Sequence, residues 1–189
     1  MDQLLEEKHR IVRRSVRRFC ERELRPIAAQ IDQEARFPWE VAEKMGKLGY
    51  FGIQAPKSLG GADLDAVSYA IIIEEISRVS AAIGLCVTVH NSVAVYPILS
   101  FGDREQIEKW IPPLAKGEKI GAFCLTEPNA GSDAGAVSAT AVADGAGDGR
   151  RASVEDRLPG GRRLAVLVEE GAAPDAAYVL RVTPVVVDP

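Results

Sequence analysis

The chain has few of the residues that mark specialised protein classes. Its 189 residues include three cysteines, two histidines and 6% aromatic residues. Three cysteines do not make a disulfide scaffold, and a net charge of −4 argues against a dedicated nucleic-acid binder, which needs a basic face. The most apolar stretch, residues 81–99, is interrupted by polar residues and a proline, so we expect a core helix and no membrane span. The charged start MDQLLEEKHR predicts no secretory signal, and these absences together favour a cytoplasmic protein.

A second set of absences divides the chain in two. All thirteen isoleucines lie at or before Ile120, and residues 145–189 contain no Ile, Lys, Phe, Trp, Asn, Gln, His, Cys or Met. Gly, Ala, Pro and Arg make up 23 of those 45 residues. Residues 164–168 and 178–187 have strand composition and predict a hairpin at most. The composition therefore changes near Asp144.

Before that change the chain has helical periodicity. Apolar residues recur every 3.6 positions along residues 2–34, with a kink or break expected at Pro26. Further helices are predicted at residues 38–49, 65–79, 82–100 and 103–112, the first with Pro38 near its first position and the last broken at Pro112 and Pro113. The first 118 residues therefore predict an all-α bundle of about five helices, followed by a short strand at 120–125.

The first helix carries seven arginines between its apolar positions. We interpret them as a solvated face paired with Glu6, Glu7, Glu21 and Glu23, and the alternative is a helix that binds an anionic surface. On the third predicted helix, Glu74 and Arg78 have the spacing of an ordinary i, i+4 ion pair.

The sequence contains no clear pattern for a metal site or for a catalytic nucleophile. A di-iron bundle needs two Glu-x-x-His pairs, and only Glu6 and His9 match. The three cysteines (Cys20, Cys86 and Cys124) lie in apolar sequence, where cysteine is usually inert packing. No phosphate-binding or nucleotide-binding glycine motif is present. We assign no metal site, no catalytic residue and no role to either histidine.

The segment GAFCLTEPNAGSD, residues 121–133, is the most distinctive in the chain. A predicted strand leads into a turn of Pro, Asn and Gly, and such turns expose backbone N–H groups. Here they would lie beside the hydroxyls of Thr126 and Ser132. That arrangement suits a polar planar ring or a phosphate, and the alternative is a plain β-turn.

The string LTEP-x-AGSD after a helical bundle resembles the acyl-CoA dehydrogenase family. Three further stretches are similar to that family: LGYFGIQAPKSLGGADLD at 48–65, EEISRVSAAIGLCVTVHNSVAVYPILSFG at 74–102, and FGDREQIEKWIPPLAKGEKIGAFCLTEP at 101–128. The resemblance covers residues 1–145. It implies a mainly α fold: an N-terminal up-and-down helical bundle at 1–118, the start of a small β domain at 119–145, and an irregular or short-stranded tail at 146–189.

The resemblance also implies a chemistry. Enzymes of this family bind FAD, oxidise acyl-CoA thioesters to 2-enoyl-CoA in fatty acid metabolism, and pass electrons to an electron-transfer flavoprotein. By position, Phe123, Leu125 and Thr126 would line the flavin, and Gly131 and Ser132 would complete that loop. Ser132 would also contact the thioester substrate.

A helix face completes the implied site. Leu85, Cys86, Val89 and Val93 lie at i, i+1, i+4 and i+8, which is one face of a helix. By resemblance that face borders the acyl pocket, and its small to medium side chains hint at a short-chain or branched substrate. The alternative is simple core packing.

The resemblance stops near residue 145. The Leu-Asn-Gly-x-Lys and Ile-Thr-Asn motifs of the family do not follow, and we find no residues for the helical domain that supplies the catalytic carboxylate and most of the oligomer interface. We therefore expect a truncated chain that is inactive alone, retains little FAD and has a doubtful oligomeric state. The alternative function is a non-enzymatic helical module that pairs with a full-length relative. The changed composition of residues 146–189 favours a frameshift or a gene fusion, which the nucleotide sequence would test. The alternative is a natural short form with a different ending.

Overall fold

The computed structural model describes residues 5–122, 126 and 131–133, and the backbone of three strands at 152–157, 163–168 and 185–186. The chain divides into two units, Met1–Glu118 and Lys119–Pro189. The helices of the first unit are α1 (Glu7–Phe19), α2 (Ala28–Gln33), α3 (Trp39–Lys47), α4 (Ala66–Ser77), α5 (Ala81–Val89), α6 (Tyr96–Phe101) and α7 (Arg104–Ala115). The predicted helical bundle is therefore confirmed.

The second unit contains β1 (Ala152–Arg157), β2 (Arg163–Val168) and β3 (Val185–Val186). These strands form an antiparallel sheet in the order β1-β2-β3, in which Val154 lies opposite Val166, and Val166 opposite Val185. The stretch 164–168 with strand composition lies within β2. Residues 120–122 are irregular, and the rest of the strand predicted at 120–125 lies outside the described residues.

Pro26 ends the first helix as its chemistry requires. Helix α1 continues as a π-helix at Cys20–Leu24, the chain turns, and α2 begins at Ala28. Proline has no N–H to donate and its ring clashes with the preceding turn. In the π turn just before Pro26, the Arg25 N–H bonds the carbonyl of Cys20, five residues back. The last hydrogen bond of this helical stretch is therefore made by the residue before the proline.

Helix α3 begins one residue later than predicted, with Pro38 preceding the first helical residue as its N-cap. It ends in a Schellman motif: the Gly49 N–H bonds the carbonyl of Gly46, and the Tyr50 N–H bonds that of Met45. Gly49 has φ +78°, the left-handed conformation that this motif needs at its glycine. The predicted role of Gly49 as the terminator of this helix is confirmed, and the last helical residue is Lys47.

Helix α4 lies between α1 and α5 and contacts both. Its N-cap is Asp65, whose carboxylate accepts the N–H of Ser68. Ile71, Ile72 and Ile76 are buried, as expected for a helix that is apolar nearly all round. The predicted cap and the central place of this helix are confirmed.

The segments α5 and α6 belong to one continuous helix, Ala81–Phe101, joined by a π-helix at His90–Val95. This helix is long and apolar enough to cross a membrane on length and composition alone. Half of its most apolar window is nevertheless buried within the protein, as it is for a core helix.

Helix α7 begins with the predicted capping box, in which Asp103 and Gln106 exchange side-chain to backbone hydrogen bonds. The break predicted at Pro112 and Pro113 is wrong, because the helix runs on to Ala115. Each proline removes one donor and crowds the carbonyl four residues before it, but both prolines lie within the last four residues of the helix. Three buried residues hold the last turn in place: Ile111, Leu114 and Ala115.

Three glycines let the end of α7 lie directly against the end of α3 and the loop after it. A Cβ on Gly46 would overlap the carbonyl oxygen of Lys116, and one on Gly52 would lie 2.6 Å from the Cβ of Ala115. Gly117 has φ +71°, and its Cβ would lie 2.6 Å from the ring of Phe51. We call this contact of Gly46, Gly52 and Gly117 the glycine seam.

Candidate functional site

The face predicted to border an acyl chain lies at the surface of the helical unit. Leu85 is 63% exposed, and Cys86, Val89 and Val93 are half-buried. The opposite side of the same helix is buried: Ile83, Val87, Ala94 and Ile98. Within this unit the four predicted residues therefore form an apolar face that its core leaves partly uncovered.

Cys86 also borders a small apolar hollow that is too narrow to enclose a water molecule. The hollow is lined by Phe37, Pro38, Ala42, Met45, Phe51, Ile83, Cys86 and Val87. Ligand sites usually enclose about 300–1,000 Å³. The hollow alone is too small for a substrate, so the candidate site is the uncovered face and not a closed pocket.

Side-chain hydrogen bonds to carbonyls run along this helix. The hydroxyl of Thr88 donates to the carbonyl of Gly84 at 2.8 Å, and that of Ser92 to the carbonyl of Thr88 at 2.7 Å. Between them, the Asn91 amide donates to the carbonyls of Val87 and Tyr50, both at 2.9 Å. These bonds give the helix carbonyls of Gly84, Val87 and Thr88 a side-chain donor.

The flavin loop expected from the resemblance lies in the second unit. Thr126, Gly131 and Ser132 are all exposed, and a Cβ built on Gly131 would meet no atom within 4 Å. Phe123 and Leu125 lie outside the described residues. The hydroxyls of Thr126 and Ser132 and the exposed backbone of Gly131 are available to hydrogen-bond a flat polar ligand.

The charges of α1 pair partly as the sequence predicts, although Glu6 pairs with Lys8 and not with an arginine. Glu7, Glu21 and Glu23 form ion pairs with arginines of α1 and of the π-helix that continues it. Two arginines instead reach α4: Arg17 binds Glu75 with two hydrogen bonds of 2.6 and 2.9 Å, and Arg13 lies 2.7 Å from Glu74. The Glu74–Arg78 pair predicted from spacing is wrong, since Arg78 bonds Glu75 and Glu21 while Glu74 faces Arg13. Spacing within one helix carries no signal for such pairs.

His9 and His90 are both buried, although the sequence analysis assigns neither of them a role. The Nε2 atom of His9 lies 3.0 Å from a carboxylate oxygen of Asp65, which also pairs with Lys8 at 2.9 Å. The bonds from Lys8, the Ser68 N–H and His9 lower the pKa of Asp65. His9 therefore ties α1 to the start of α4.

His90 packs its ring edge-on against Phe51, with the ring centres 5.0 Å apart. Burial lowers the pKa of His90 to about 4, partly opposed by interactions with the backbone of Phe51 and Leu114. This histidine is therefore neutral at pH 7 and packs against Phe51, whose ring borders Gly117 of the glycine seam.

The described carboxylates do not make a metal centre or a strong base. Among these residues no group of three or more His, Cys, Asp and Glu side chains could hold a metal ion. Arginine hydrogen bonds lower the pKa of Glu75, and those of Glu7 and Glu21 are lowered in the same way. A carboxylate held in its charged form by arginines is a weak proton acceptor.

The family profile described as acyl-CoA dehydrogenase, N-terminal domain, matches residues 6–118. The chain belongs to the acyl-CoA dehydrogenase family. It is 50% identical over 141 residues to the mitochondrial short-chain specific acyl-CoA dehydrogenase of Bos taurus, covering 75% of this chain and 34% of that protein. It is 48% identical to an acyl-CoA dehydrogenase of Bacillus subtilis over 132 residues, 70% of this chain and 35% of that protein. The chain thus spans about a third of the length of these curated relatives.

Solved structures of the family are also similar. Acyl-CoA dehydrogenase from Geobacillus kaustophilus matches with a TM-score of 0.74 and 28% identity, over 97% of this chain and 48% of that one. Butyryl-CoA dehydrogenase from Megasphaera elsdenii matches with a TM-score of 0.66 and 26% identity, over 90% of this chain and 42% of that one. The predicted family resemblance is therefore confirmed.

Proposed function

We propose that this chain contributes the acyl-contacting helix and part of the flavin loop of an enzyme that oxidises acyl-CoA thioesters to 2-enoyl-CoA. The observation that carries the proposal is the uncovered apolar face of Leu85, Cys86, Val89 and Val93, on a helix whose other side is core. Similarity to a short-chain specific relative supports it, and the modest size of these side chains favours a short or branched acyl chain.

FAD is the cofactor proposed for this enzyme. The residues present fit it, since Thr126 and Ser132 bring exposed hydroxyls and Gly131 leaves open space beside its backbone. Phe123 and Leu125 would line the same group, and Ser132 would also contact the thioester. Bound FAD would accept the hydride that leaves the substrate. A solved neighbour, glutaryl-CoA dehydrogenase of Mycobacterium smegmatis, is in complex with FADH2 and matches at 27% identity with a TM-score of 0.73.

The role of the helical unit in this reaction is to hold the acyl chain, not to move its proton. General base catalysis needs a carboxylate that can accept a proton within reach of the substrate. Glu75 is buried and bonded by Arg17 and Arg78, and its lowered pKa makes it a weak base. We therefore propose that the acceptor of the α-proton comes from outside the helical unit.

An electron-transfer flavoprotein is the proposed acceptor of the electrons. One solved neighbour is described as the electron transferring flavoprotein of Acidaminococcus fermentans and matches at 30% identity with a TM-score of 0.68. This partner would place the chain in fatty acid metabolism.

The test measures binding of butyryl-CoA to the purified chain by titration calorimetry, with the variant Val89→Asp. A carboxylate on the candidate face would have to be desolvated beside the acyl chain, so we expect binding to weaken at least about tenfold. The matched control is Ile11→Asp, because Ile11 is an exposed apolar residue on α1, away from this face. The proposal fails if butyryl-CoA does not bind, or if both variants weaken binding equally.

Flavin content and turnover test the division of roles. We expect the chain alone to retain little FAD on purification, because it is proposed to supply only part of the flavin site. We also expect no acyl-CoA-dependent dye reduction, because the helical unit supplies no base and no residue of the second unit is assigned as one. A yellow protein that reduces dye with butyryl-CoA would contradict this expectation.

A second candidate function is a helical module that pairs with a full-length relative. It is favoured by three large apolar residues exposed on one helix, Leu85, Tyr96 and Phe101. Co-expression with the Bacillus subtilis relative followed by size-exclusion chromatography would detect a mixed complex. If pairing is the function, Phe101→Ser should abolish that complex, whereas Ile11→Asp on α1 should leave it intact.

A further inference from the structure

The candidate acyl face crosses an irregular point in its helix. The backbone is α-helical at Ala81–Val89, π-helical at His90–Val95 and α-helical again at Tyr96–Phe101. The Tyr96 N–H bonds the carbonyl of Asn91, five residues back, which is the π pattern. A π turn contains an extra residue and often marks a functional site.

This wider turn affects how the face is built. Each residue of an α-helix advances by about 100° around the axis, so an added residue in one turn redirects every side chain that follows it. Val89 lies before the π turn and Val93 within it. The direction of Val93 relative to Val89 therefore depends on whether the π turn is kept.

Asn91 holds the π turn from inside. Its side-chain amide donates to the carbonyl of Val87 at 2.9 Å. In a regular α-helix that carbonyl accepts the backbone N–H of residue 91. The Asn91 side chain thus gives the carbonyl of Val87, just before the π turn, a hydrogen-bond donor.

Asn91 also ties this turn to the loop that follows α3. Its amide donates to the carbonyl of Tyr50 at 2.9 Å, and its carbonyl oxygen accepts the N–H of Ile53 at 3.0 Å. Asn91 is only 7% exposed, so each of these bonds lies in the interior, where an unmade bond is costly. A side chain with two donors and an acceptor at this length is required, and asparagine provides it.

We infer that Asn91 is the positioning residue of the candidate acyl face: it holds the π turn in register with the Tyr50–Ile53 backbone and so sets the direction of Val93 relative to Val89. The inference rests on the proposed function for its role in substrate selection. Loss of the amide frees the turn to relax toward α-helix and redirects the second half of the face.

The structural arm of the test uses thiol reactivity in the full chain. Cysteine is placed separately by Val89→Cys and Val93→Cys, and alkylation at each position is followed by peptide mass spectrometry. With Asn91→Leu, or with Asn91→Asp, which keeps the acceptor but loses both donors, we expect the ratio of the two rates to change at least about threefold.

The matched control is Ser92→Ala. Ser92 is adjacent and also donates to a carbonyl, that of Thr88, but it is exposed and makes no bond to the loop. Its alkylation ratio should stay within about twofold of the unaltered chain. An unchanged ratio in a folded Asn91 variant overturns the inference. Loss of helical circular dichroism in both Asn91 variants also overturns it, since Asn91 would then support the fold in general.

The binding arm compares butyryl-CoA with octanoyl-CoA. We expect the ratio of their affinities to change at least about threefold in the folded Asn91 variants and to stay constant in Ser92→Ala. A uniform loss of both affinities would indicate general destabilisation and contradict the selective role. If the unaltered chain binds neither probe, the proposed function fails, while the alkylation ratios still decide the positioning role.

Discussion

Two contacts hold the helical unit together by different physical means. Where α1 meets α4, long side chains reach across, and Arg17 and Arg13 bond Glu75 and Glu74. At the glycine seam, Gly46 lies directly against the backbone of Lys116 and Gly117, and Gly52 and Gly117 leave room for the side chains of Ala115 and Phe51. Flexible side chains can adjust to a change, whereas closely packed backbone cannot, so the seam should tolerate substitution far less than the charged contact.

The largest expected effect comes from filling the seam. Gly46→Leu would force a side chain against the carbonyl of Lys116, a backbone atom that cannot turn aside. We expect the free energy of unfolding to fall by about 4 kcal/mol, more than the usual cost of overpacking because backbone atoms would have to move. Urea denaturation measures it, and Gly131→Ala is the control, because a Cβ there meets nothing within 4 Å. A loss below about 1 kcal/mol would mean that the seam can yield.

The next effect is acid sensitivity at His90, which packs against Phe51 beside the seam. Burial lowers its pKa from an ordinary 6.5 to about 4, so the unfolded chain binds more protons than the folded one between these values. Stability from this group is therefore present above pH 6.5 and lost as the pH falls toward 4, by about 3 kcal/mol in total. Urea denaturation from pH 7 to 4 should show this excess loss in the unaltered chain and not in His90→Gln. Parallel pH profiles for the two proteins would refute the assignment.

The charged contact provides the third prediction, from two adjacent glutamates. Glu75 is 1% exposed and bonded by Arg17 and Arg78, whereas the side chain of Glu74 is 61% exposed. Glu75→Ala should lower the free energy of unfolding by about 2 kcal/mol. This is less than the loss on breaking a fully buried ion pair, because Arg17 and Arg78 are both partly exposed to solvent. Glu74→Ala is the matched control and should cost less than about 1 kcal/mol. Thermal unfolding measures both variants, and equal losses of stability would show that burial does not make Glu75 more important than Glu74.

The smallest effect is at the start of α7, the helix whose far end forms the seam. Asp103→Ala removes one half of the capping box and should cost about 1 kcal/mol. Ser80→Ala at the start of α5 should cost less, because its hydroxyl accepts the Ile83 N–H at a longer 3.4 Å. Chemical denaturation of both variants tests the order, and a larger loss at Ser80 would reverse it.

The helices were largely predictable because their signals are local. Asp65 and Asp103 cap their helices, Gly49 ends α3 and Pro26 interrupts the first helix, each through atoms within a few residues. Pro112 misled the prediction, because removing one donor near a helix end costs less than the buried contacts around it provide.

The candidate site was predictable only in part. The periodicity of residues 85–93 placed four apolar residues on one face, but it left open whether that face was core or surface, and the structure shows it uncovered. Asn91 was not singled out, since its partners Tyr50 and Ile53 lie about forty residues away along the chain. The flavin-loop and substrate roles remain predictions from the resemblance.

By itself, the sequence determined the family, the helical class of residues 1–118 and most of the helix ends, because caps, glycines, prolines and apolar periods act over a single turn. Only the tertiary structure decided which charges pair, since Arg17 and Glu75 meet through the packing of two helices. It also decided that three glycines form one seam and that Asn91 supports a π turn. Those features depend on distances between segments far apart in the chain, which no local pattern encodes.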